Sequence, residues 1–305
     1  MHLRLGTRGS RLALWQAHHV AGRLSASWPG LTVEISIIKT EGDRRPDLPL
    51  TESFGEGVFV KEIEAALAAG KIDLAVHSLK DLPTMTPAGL SIAAVPRRHD
   101  PRDALVSSHA ARVEDLPKGA TVATGSPRRR SQLLTVRGDL KFCAVRGNVD
   151  TRLAKLGEGQ FDALILAVAG IERLGMEGAP YTPIPLSVCL PAPGQGALAV
   201  ETRADDLETR RLVQPLDHAE TTACVRAERA FLAELGAGCL APAGALASIE
   251  GDGIRLEAMI GYPDGRSRIR DRVDGRIDAP EALGAGLAQR LLRGGADAIL
   301  KASRA

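Results

Sequence analysis

Aromatic residues make up only 3% of this 305-residue chain, and cysteine occurs four times. A core so poor in Phe, Tyr and Trp must be packed from Ala, Leu, Val and Ile. The cysteines, Cys143, Cys189, Cys224 and Cys239, stand at scattered spacings, which point to neither a disulfide framework nor a zinc site. No apolar run approaches the length of a bilayer span. The opening MHLRLGTRGS has no hydrophobic signal segment, so the expected location is the cytoplasm, with no membrane partner. No Gly-x-Gly-x-x-Gly follows a strand, no Walker-type Gly-Lys-Ser/Thr occurs, and GVFVK at 57–61 is no phosphate loop. The seven histidines do not pair at metal-ligand spacing, apart from the adjacent His18 and His19, which face different directions on a helix. No metal is expected, and there is neither an internal repeat nor a low-complexity tract.

Hydrophobic residues at 44% and charged residues at 25% describe an ordinary globular protein. The length allows two or three domains, each with its own core. Net charge is only +2, but 31 of the 39 cationic residues are Arg and 8 are Lys. Arg grips a carboxylate or phosphate through two parallel hydrogen bonds, which Lys cannot do. A GC-rich genome would account for most of the excess, so the positions of the arginines carry more information than their number.

The first two-thirds of the chain alternates strand-like and helix-like segments. Strands are expected at Val33–Ile38, Leu74–Val76, Thr121–Ala123 and Ala163–Val168, and helices at Arg11–Leu24, Val60–Ala69, Arg128–Thr135 and Asn148–Leu156. This pattern implies mostly parallel sheets covered on both faces. Such sheets bind ligands beyond the carboxyl ends of their strands. Ser10 and Ser126, the latter followed by Pro127, read as helix N-caps. The character changes after about Leu216. A helix at Thr221–Leu235 precedes a hairpin, Ala243–Glu250 and Gly253–Ile260, turning at Gly251-Asp252, and a final helix covers Pro280–Leu300. That makes a small α+β unit of roughly 90 residues, a candidate third domain.

Arg, Ser and Gly concentrate at strand ends, in GTRGS (6–10), TGSPRRR (124–130) and VRGN (145–148), with Arg152 and Arg173 at or near helix positions. Backbone N–H groups at helix starts beside guanidinium groups make anion sites. Five such positions point to a ligand with several negative groups. A second cluster, DLAVHSLKDLP (73–83), runs from an apolar strand into a loop carrying His77, Ser78, Lys80 and Asp81. A carboxylate there can shuttle a proton or stabilise a nearby cation; spacing alone equally allows an ordinary Lys80–Asp81 loop pair. A third, GAGCLAP (236–242), sets Cys239 between glycines after a helix. There it could be a nucleophile or attachment point, although by itself a free Cys reads first as a small buried hydrophobe.

Nine segments, taken together and in order, resemble the porphobilinogen deaminase family over essentially the whole chain: GTRGSRLALWQAHHV, GVFVKEIEAAL, DLAVHSLKDLPT, DPRDALVS, ATGSPRRRSQL, VRGNVDTRL, DALILAVAGIERLG, PAPGQGALAVE and ERAFLAELGAGCLAPAGALA. The resemblance implies an α/β fold: two periplasmic-binding-protein-like α/β domains, residues 1–96 with 197–214 and residues 97–196, and a smaller C-terminal α+β domain, residues 215–305. It implies a covalent dipyrromethane cofactor held by a thioether to Cys239. Four porphobilinogen units are added to it with loss of ammonia, and water then releases hydroxymethylbilane, in tetrapyrrole (haem) biosynthesis. Asp81 corresponds to the family's catalytic Asp, which the resemblance implies stabilises positive charge on pyrrole nitrogen and helps proton transfer as the azafulvene forms and is attacked, a role suited to a desolvated carboxylate. Arg8, Arg146 and Arg152 are expected to touch substrate or assist deamination. Ser10, Lys80, Ser126, Arg128, Arg129 and Arg173 are expected to hold cofactor carboxylates. The small-molecule substrate is the expected partner, and the chain is expected to be a monomer.

One stretch departs from the family. Many members carry lysines in the loop before GVFVK, where this chain has TESFGEG (51–57) with Glu52 and Glu56. Two other functions fit parts of the pattern. A non-catalytic anion-binding protein would share the Arg-lined α/β domains but has no use for Cys239 between glycines. A nucleic-acid-binding protein is suggested by Arg128-Arg129-Arg130, but a charge of +2 and so few aromatics argue against it.

Overall fold

The computed structural model describes residues 1–44, 57–176, 178, 180–236, 238 and 241–304. In chain order the elements begin with β1 His2–Thr7, α1 Arg11–Ser27, β2 Thr32–Ile37, α2 Glu41–Arg44, α3 Lys61–Ala68, β3 Leu74–Ser78 and β4 Leu90–Ala94. There follow β5 Asp103–Val106, β6 Thr121–Ala123, α4 Pro127–Val136, β7 Lys141–Cys143, α5 Val149–Gly157, β8 Ala163–Ala167, α6 Val168–Arg173 and β9 Tyr181–Pro183. The last third holds β10 Leu198–Arg203, α7 Leu207–Val213, α8 Ala219–Glu234, β11 Ala243–Glu250, β12 Gly253–Gly261, β13 Arg268–Arg276, α9 Pro280–Leu291 and α10 Asp297–Arg304. Two compact units result, Met1–His99 with Gly196–Thr222 and Asp100–Gln195 with Ala223–Ala305.

The first unit is built on a five-stranded sheet ordered β2-β1-β3-β10-β4. β1 runs parallel to β2 and β3, while β10 lies antiparallel to β3 and β4. Within the second unit a sheet ordered β7-β6-β8-β5-β9 follows the same plan. β6 is parallel to β7 and β8, and β5 is antiparallel to β8 and β9. A repeat invisible in the sequence is therefore present in the topology. The sheets are mostly parallel, as expected: four of the five strands in each run the same way, and only the fourth in each order, a segment from elsewhere in the chain, runs against its neighbours. α/β architecture itself is observed as expected.

Burial on both faces shows in the alternation of side chains. In the second unit, Leu105, Val122, Ala163 and Ile165 enter one core, with Leu133 of α4, while Ala104, Val106, Ala123, Leu164 and Leu166 enter another, with Ile171 of α6. The first unit does the same: Leu74 and Val76 pack with Leu5, Val20 and Leu24, and Ala75 packs with Ile63 and Leu67 of α3 on the other face. Period-2 strands covered by helices on both sides are a stable way to bury such short apolar runs.

The smaller α+β part is an antiparallel sheet ordered β11-β12-β13, packed on α8 and α9 through Phe231, Leu256, Leu287 and Leu291. The expected hairpin turn is present, with Gly251 at φ +59, the left-handed region that such two-residue turns demand. β13 escapes a sequence reading because RIRDRVDGR alternates only between half-buried and exposed positions. The single final helix expected over 280–300 is instead broken: Gly295 takes φ +100 between α9 and α10. Within the second unit this part lies against the five-stranded sheet's loops. Arg270 donates to the carbonyls of Ser187 and Leu186 at 2.9 and 3.0 Å. The wholly buried Glu228 accepts from the backbone N–H groups of Gly194 and Ala247 at 2.6 and 2.8 Å.

Candidate active site

Parallel neighbours deliver their carboxyl ends to one edge of a sheet, and in both units the expected site residues follow those ends. In the first unit, β1 ends at Thr7 and leads to Arg8 and Ser10, while β3 ends at Ser78 and leads to Lys80 and Asp81. Ser10 caps α1 as expected, its Oγ accepting from the Ala13 N–H at 3.3 Å. Arg8, Ser10, Gln16, Phe59, His77, Ser78 and Asp81 line one open pocket. Arg8 lies 4.1 Å over the Phe59 ring and donates to Asp43 at 2.5 and 3.3 Å. Burial would raise the Asp43 carboxyl, but hydrogen bonds from Arg8 and Thr40 outweigh it and hold the group below its ordinary value.

Asp81 is exposed at this pocket, which corrects the expectation of a desolvated carboxylate. It stands on a single 3₁₀ turn, Leu79–Asp81, that buries Leu79 and leaves its third residue outward. Lys80 on the same turn is half-buried.

In the second unit, β6, β7 and β8 lead to α4, α5 and α6 respectively. Ser126 caps α4, accepting from the Arg129 N–H at 3.4 Å, with Pro127 in the first turn as expected. Arg146 is half-buried beyond β7, and Arg152 on α5 donates through Nε to the Gly147 carbonyl at 2.9 Å. Arg173, the last residue of α6, is buried, and desolvation lowers its guanidinium to about 10. A cation stripped of water in this way is stabilised by any anion that reaches it.

Arg128 and Arg129 differ most from expectation. Both are buried and both are engaged by Asp103, a wholly buried carboxylate on β5. Arg128 Nη1 donates to Oδ2 at 2.6 Å and to the Leu190 carbonyl at 2.7 Å. Arg129 Nε and Nη2 donate to Oδ1 at 2.9 and 2.7 Å, and its Nη1 donates to the Ile165 carbonyl at 2.9 Å. Gln195 Nε2 also donates to the same carboxylate, at 2.9 Å. Burial alone would push the Asp103 carboxyl up; the charges of Arg128 and Arg129 reverse that and hold it far below the ordinary range. Beside it, burial and then the Asp103 charge push the Cys189 thiol up to about 12, so this cysteine is an inert packing group, as expected. The two guanidinium groups are thus part of the fold, with one positive charge more than the single carboxylate cancels.

Sequence reasoning missed Asp103, Glu201 and Glu228. For Asp103 and Glu201 the signal is a lone acid at an apolar strand, in DALV at 103–106 and LAVETR at 198–203, a position tolerated only with partners; Glu228, in RAERA at 226–230, carries no such mark. Cys239, Glu52 and Glu56 lie outside the described residues. The described residues include no three His, Cys, Asp or Glu side chains gathered as metal ligands, and no helix of theirs is long and apolar enough to cross a membrane.

Comparison with known proteins adds to this geometry. Residues 3–211 match the family model described as porphobilinogen deaminase, dipyromethane cofactor binding domain, and residues 222–293 match porphobilinogen deaminase, C-terminal domain. The porphobilinogen deaminase of Roseiflexus sp. is 50% identical over 296 residues, 97% of each chain. That of Pelotomaculum thermopropionicum is 48% identical over 98% of this chain and 96% of its own. Among solved structures, the methionine binding protein MetQ has a TM-score of 0.44 at 14% identity, over 70% of this chain and 89% of that one, a likeness too slight to bear on fold or ligand. On the two family models and the full-length relatives, the chain belongs to the porphobilinogen deaminase family.

Proposed function

We propose that the strand-end clusters of the two α/β sheets hold the carboxylates of a polypyrrole while porphobilinogen is condensed onto it. The enzyme is a hydroxymethylbilane synthase, a transferase of tetrapyrrole biosynthesis, and its cofactor is dipyrromethane. The observation that carries the site reading is the donor chemistry: cations and hydroxyls beyond the carboxyl ends of five strands, β1, β3, β6, β7 and β8, with Arg173 desolvated among them. Every pyrrole of such a chain bears an acetate and a propionate, so this donor set fits the group. Cys239 is the proposed attachment point, and Ser10, Lys80, Ser126 and Arg173 the proposed grips on cofactor carboxylates.

When bound, the dipyrromethane supplies the pyrrole carbon on which the product grows. Arg8, Arg146 and Arg152 orient incoming porphobilinogen by its carboxylates through paired hydrogen bonds. For Arg8 this means sharing or exchanging Asp43, the carboxylate it already holds. Asp81 stabilises positive charge on pyrrole nitrogen as the amine departs. Because it is exposed here, its low-dielectric setting comes only with a ligand laid over it, which ties the strength of the interaction to occupancy. Arg128 and Arg129 act on cofactor carboxylates through the charge that Asp103 leaves uncancelled, from fixed positions, so no reorganisation is needed on binding.

The domain reading, 1–96 with 197–214, 97–196 and 215–305, draws support from the three separate sheets and from the break between the family models at 211–222. A cytoplasmic monomer with no nucleic-acid partner completes the proposal. The test is to supply porphobilinogen to purified protein. Four ammonia per linear tetrapyrrole supports the reading, and binding without ammonia release overturns it in favour of an anion-binding protein.

A further inference from the structure

Behind the first-unit pocket lies a group of titratable residues that the reading above does not use. His77, on β3, lines the pocket together with Asp81 and Arg8. Its Nε2 stands 3.3 Å from Glu201 Oε2 on the antiparallel neighbour β10, and the two side chains are 4% and 1% exposed. The register explains the meeting: His77 faces Ala199, and Glu201 lies two residues on, the diagonal neighbour on the same face of the sheet. The approach has the length of an ion pair but not the angle of a hydrogen bond, and among the described residues neither atom has another hydrogen-bond partner. Glu64 of α3 covers this face. Burial first, then the Glu201 charge, raise its carboxyl, while His77 and the exposed Lys61 at the start of the same helix pull it the other way. The charged groups facing the imidazole are thus Glu201 from β10 and Glu64 from α3, with Asp81 and Arg8 around the pocket; α1 contributes the uncharged Gln16, which is bonded to Ser78 at 2.8 Å.

A buried carboxylate oxygen left without a hydrogen bond beside an imidazole nitrogen in the same state is a costly arrangement for packing alone. It becomes favourable whenever the imidazole takes up a proton, because the two charges then attract in a medium of low dielectric. We propose that His77 is the proton acceptor of this pocket and that Glu201, acting only through His77, is its positioning residue. Condensation needs such an acceptor. The new C–C bond forms as the C–N bond to ammonia breaks, and the attacked pyrrole position must then lose its hydrogen as a proton, the electron pair returning to the ring. His77 takes that proton and passes it to the departing ammonia, which leaves as ammonium, so atoms and charge balance and no other reactant is needed. Asp81 stabilises the cationic pyrrole nitrogen and helps move the proton, and His77 is where that proton is received.

This inference rests on the deaminase reading, and its test separates the two. The imidazole of His77 is titrated by NMR in the full-length protein, its signal assigned by its loss in H77Q, for wild type, E201Q and E64Q. In parallel the pH dependence of kcat/KM for porphobilinogen is recorded. Removing the Glu201 charge lowers the pH at which His77 takes up its proton, and E64Q moves it less in the same direction. The acid limb of the rate profile, where His77 becomes unable to accept, moves to lower pH by the same amount, while KM changes by less than about threefold. A midpoint unmoved in E201Q overturns the proposal. So does a midpoint that moves while the acid limb stays, or a uniform loss of rate without a change of profile, which a structural role would give. Should E201Q not fold, E64Q, on a half-buried helical position, carries the same paired prediction. Wild-type protein that releases no ammonia from porphobilinogen strikes the deaminase reading itself; an active wild type with unmoved profiles strikes only the His77–Glu201 pair.

Discussion

Replacing Arg128 by Ala separates folding from cofactor binding. The variant removes the 2.6 Å ion pair to Asp103 and the 2.7 Å bond to the Leu190 carbonyl. The side chains of the pair are 5% and 0% exposed, so water does not replace what is lost. Breaking one partner of a buried pair costs about 3–5 kcal/mol. Arg129 and Gln195 remain on the carboxylate at 2.7 and 2.9 Å, which places the cost near the lower end, about 3 kcal/mol. At about 2–3 °C per kcal/mol for a chain of this size, Tm falls by roughly 6–9 °C. The assay is thermal unfolding of R128A, D103N and the double variant, followed by circular dichroism. The double variant recovers part of the summed loss, a coupling of about 1–3 kcal/mol. An R128A protein melting within about 2 °C of wild type would refute the assignment of Arg128 to the fold and return it to a purely ligand-gripping role. Intact mass of the folded R128A fraction then reports cofactor loading separately.

Asp103 also sets an acid limit. Its folded carboxyl is held below the unfolded value of about 4, so its contribution is complete above that value and drains away as pH falls below it. Urea unfolding of D103N between pH 7 and 3 loses this part of the slope, and an unchanged slope contradicts the assignment. Asp81→Asn retains the wild-type Tm, because the side chain is exposed, and lowers kcat by about 10²–10⁴-fold; near-normal turnover removes it from the reaction. Gly244→Ala meets the Leu190 carbonyl oxygen at 2.8 Å and that of Pro191 at 3.1 Å, both backbone, and loses about 1–3 kcal/mol in the same thermal assay.

Legibility in the sequence follows the range of the interactions involved. Caps at Ser10 and Ser126 and the turn at Gly251 are local, and the structure has them where the residues indicate. Sheet direction is not local: β5 and β10 are inserted into sheets formed by distant segments, so the antiparallel pairings leave no mark on neighbouring residues. The Arg clusters were visible as a pattern, but the partner that buries Arg128 and Arg129 is 25 and 26 residues away in DALV. For the same reason His77 could be noticed, although the sequence pattern places it in a loop and the structure puts it on β3, while Glu201, more than a hundred residues on, could not be assigned to it.

The central claim is a covalent polypyrrole carried by Cys239, and the intact mass of the denatured full-length protein beside a Cys239→Ser variant tests it most directly. The account predicts a mass excess fitting one dipyrromethane in wild type and none in the variant, with further pyrrole increments when porphobilinogen is added. A wild-type mass equal to the bare chain, unchanged after incubation with porphobilinogen, would contradict it.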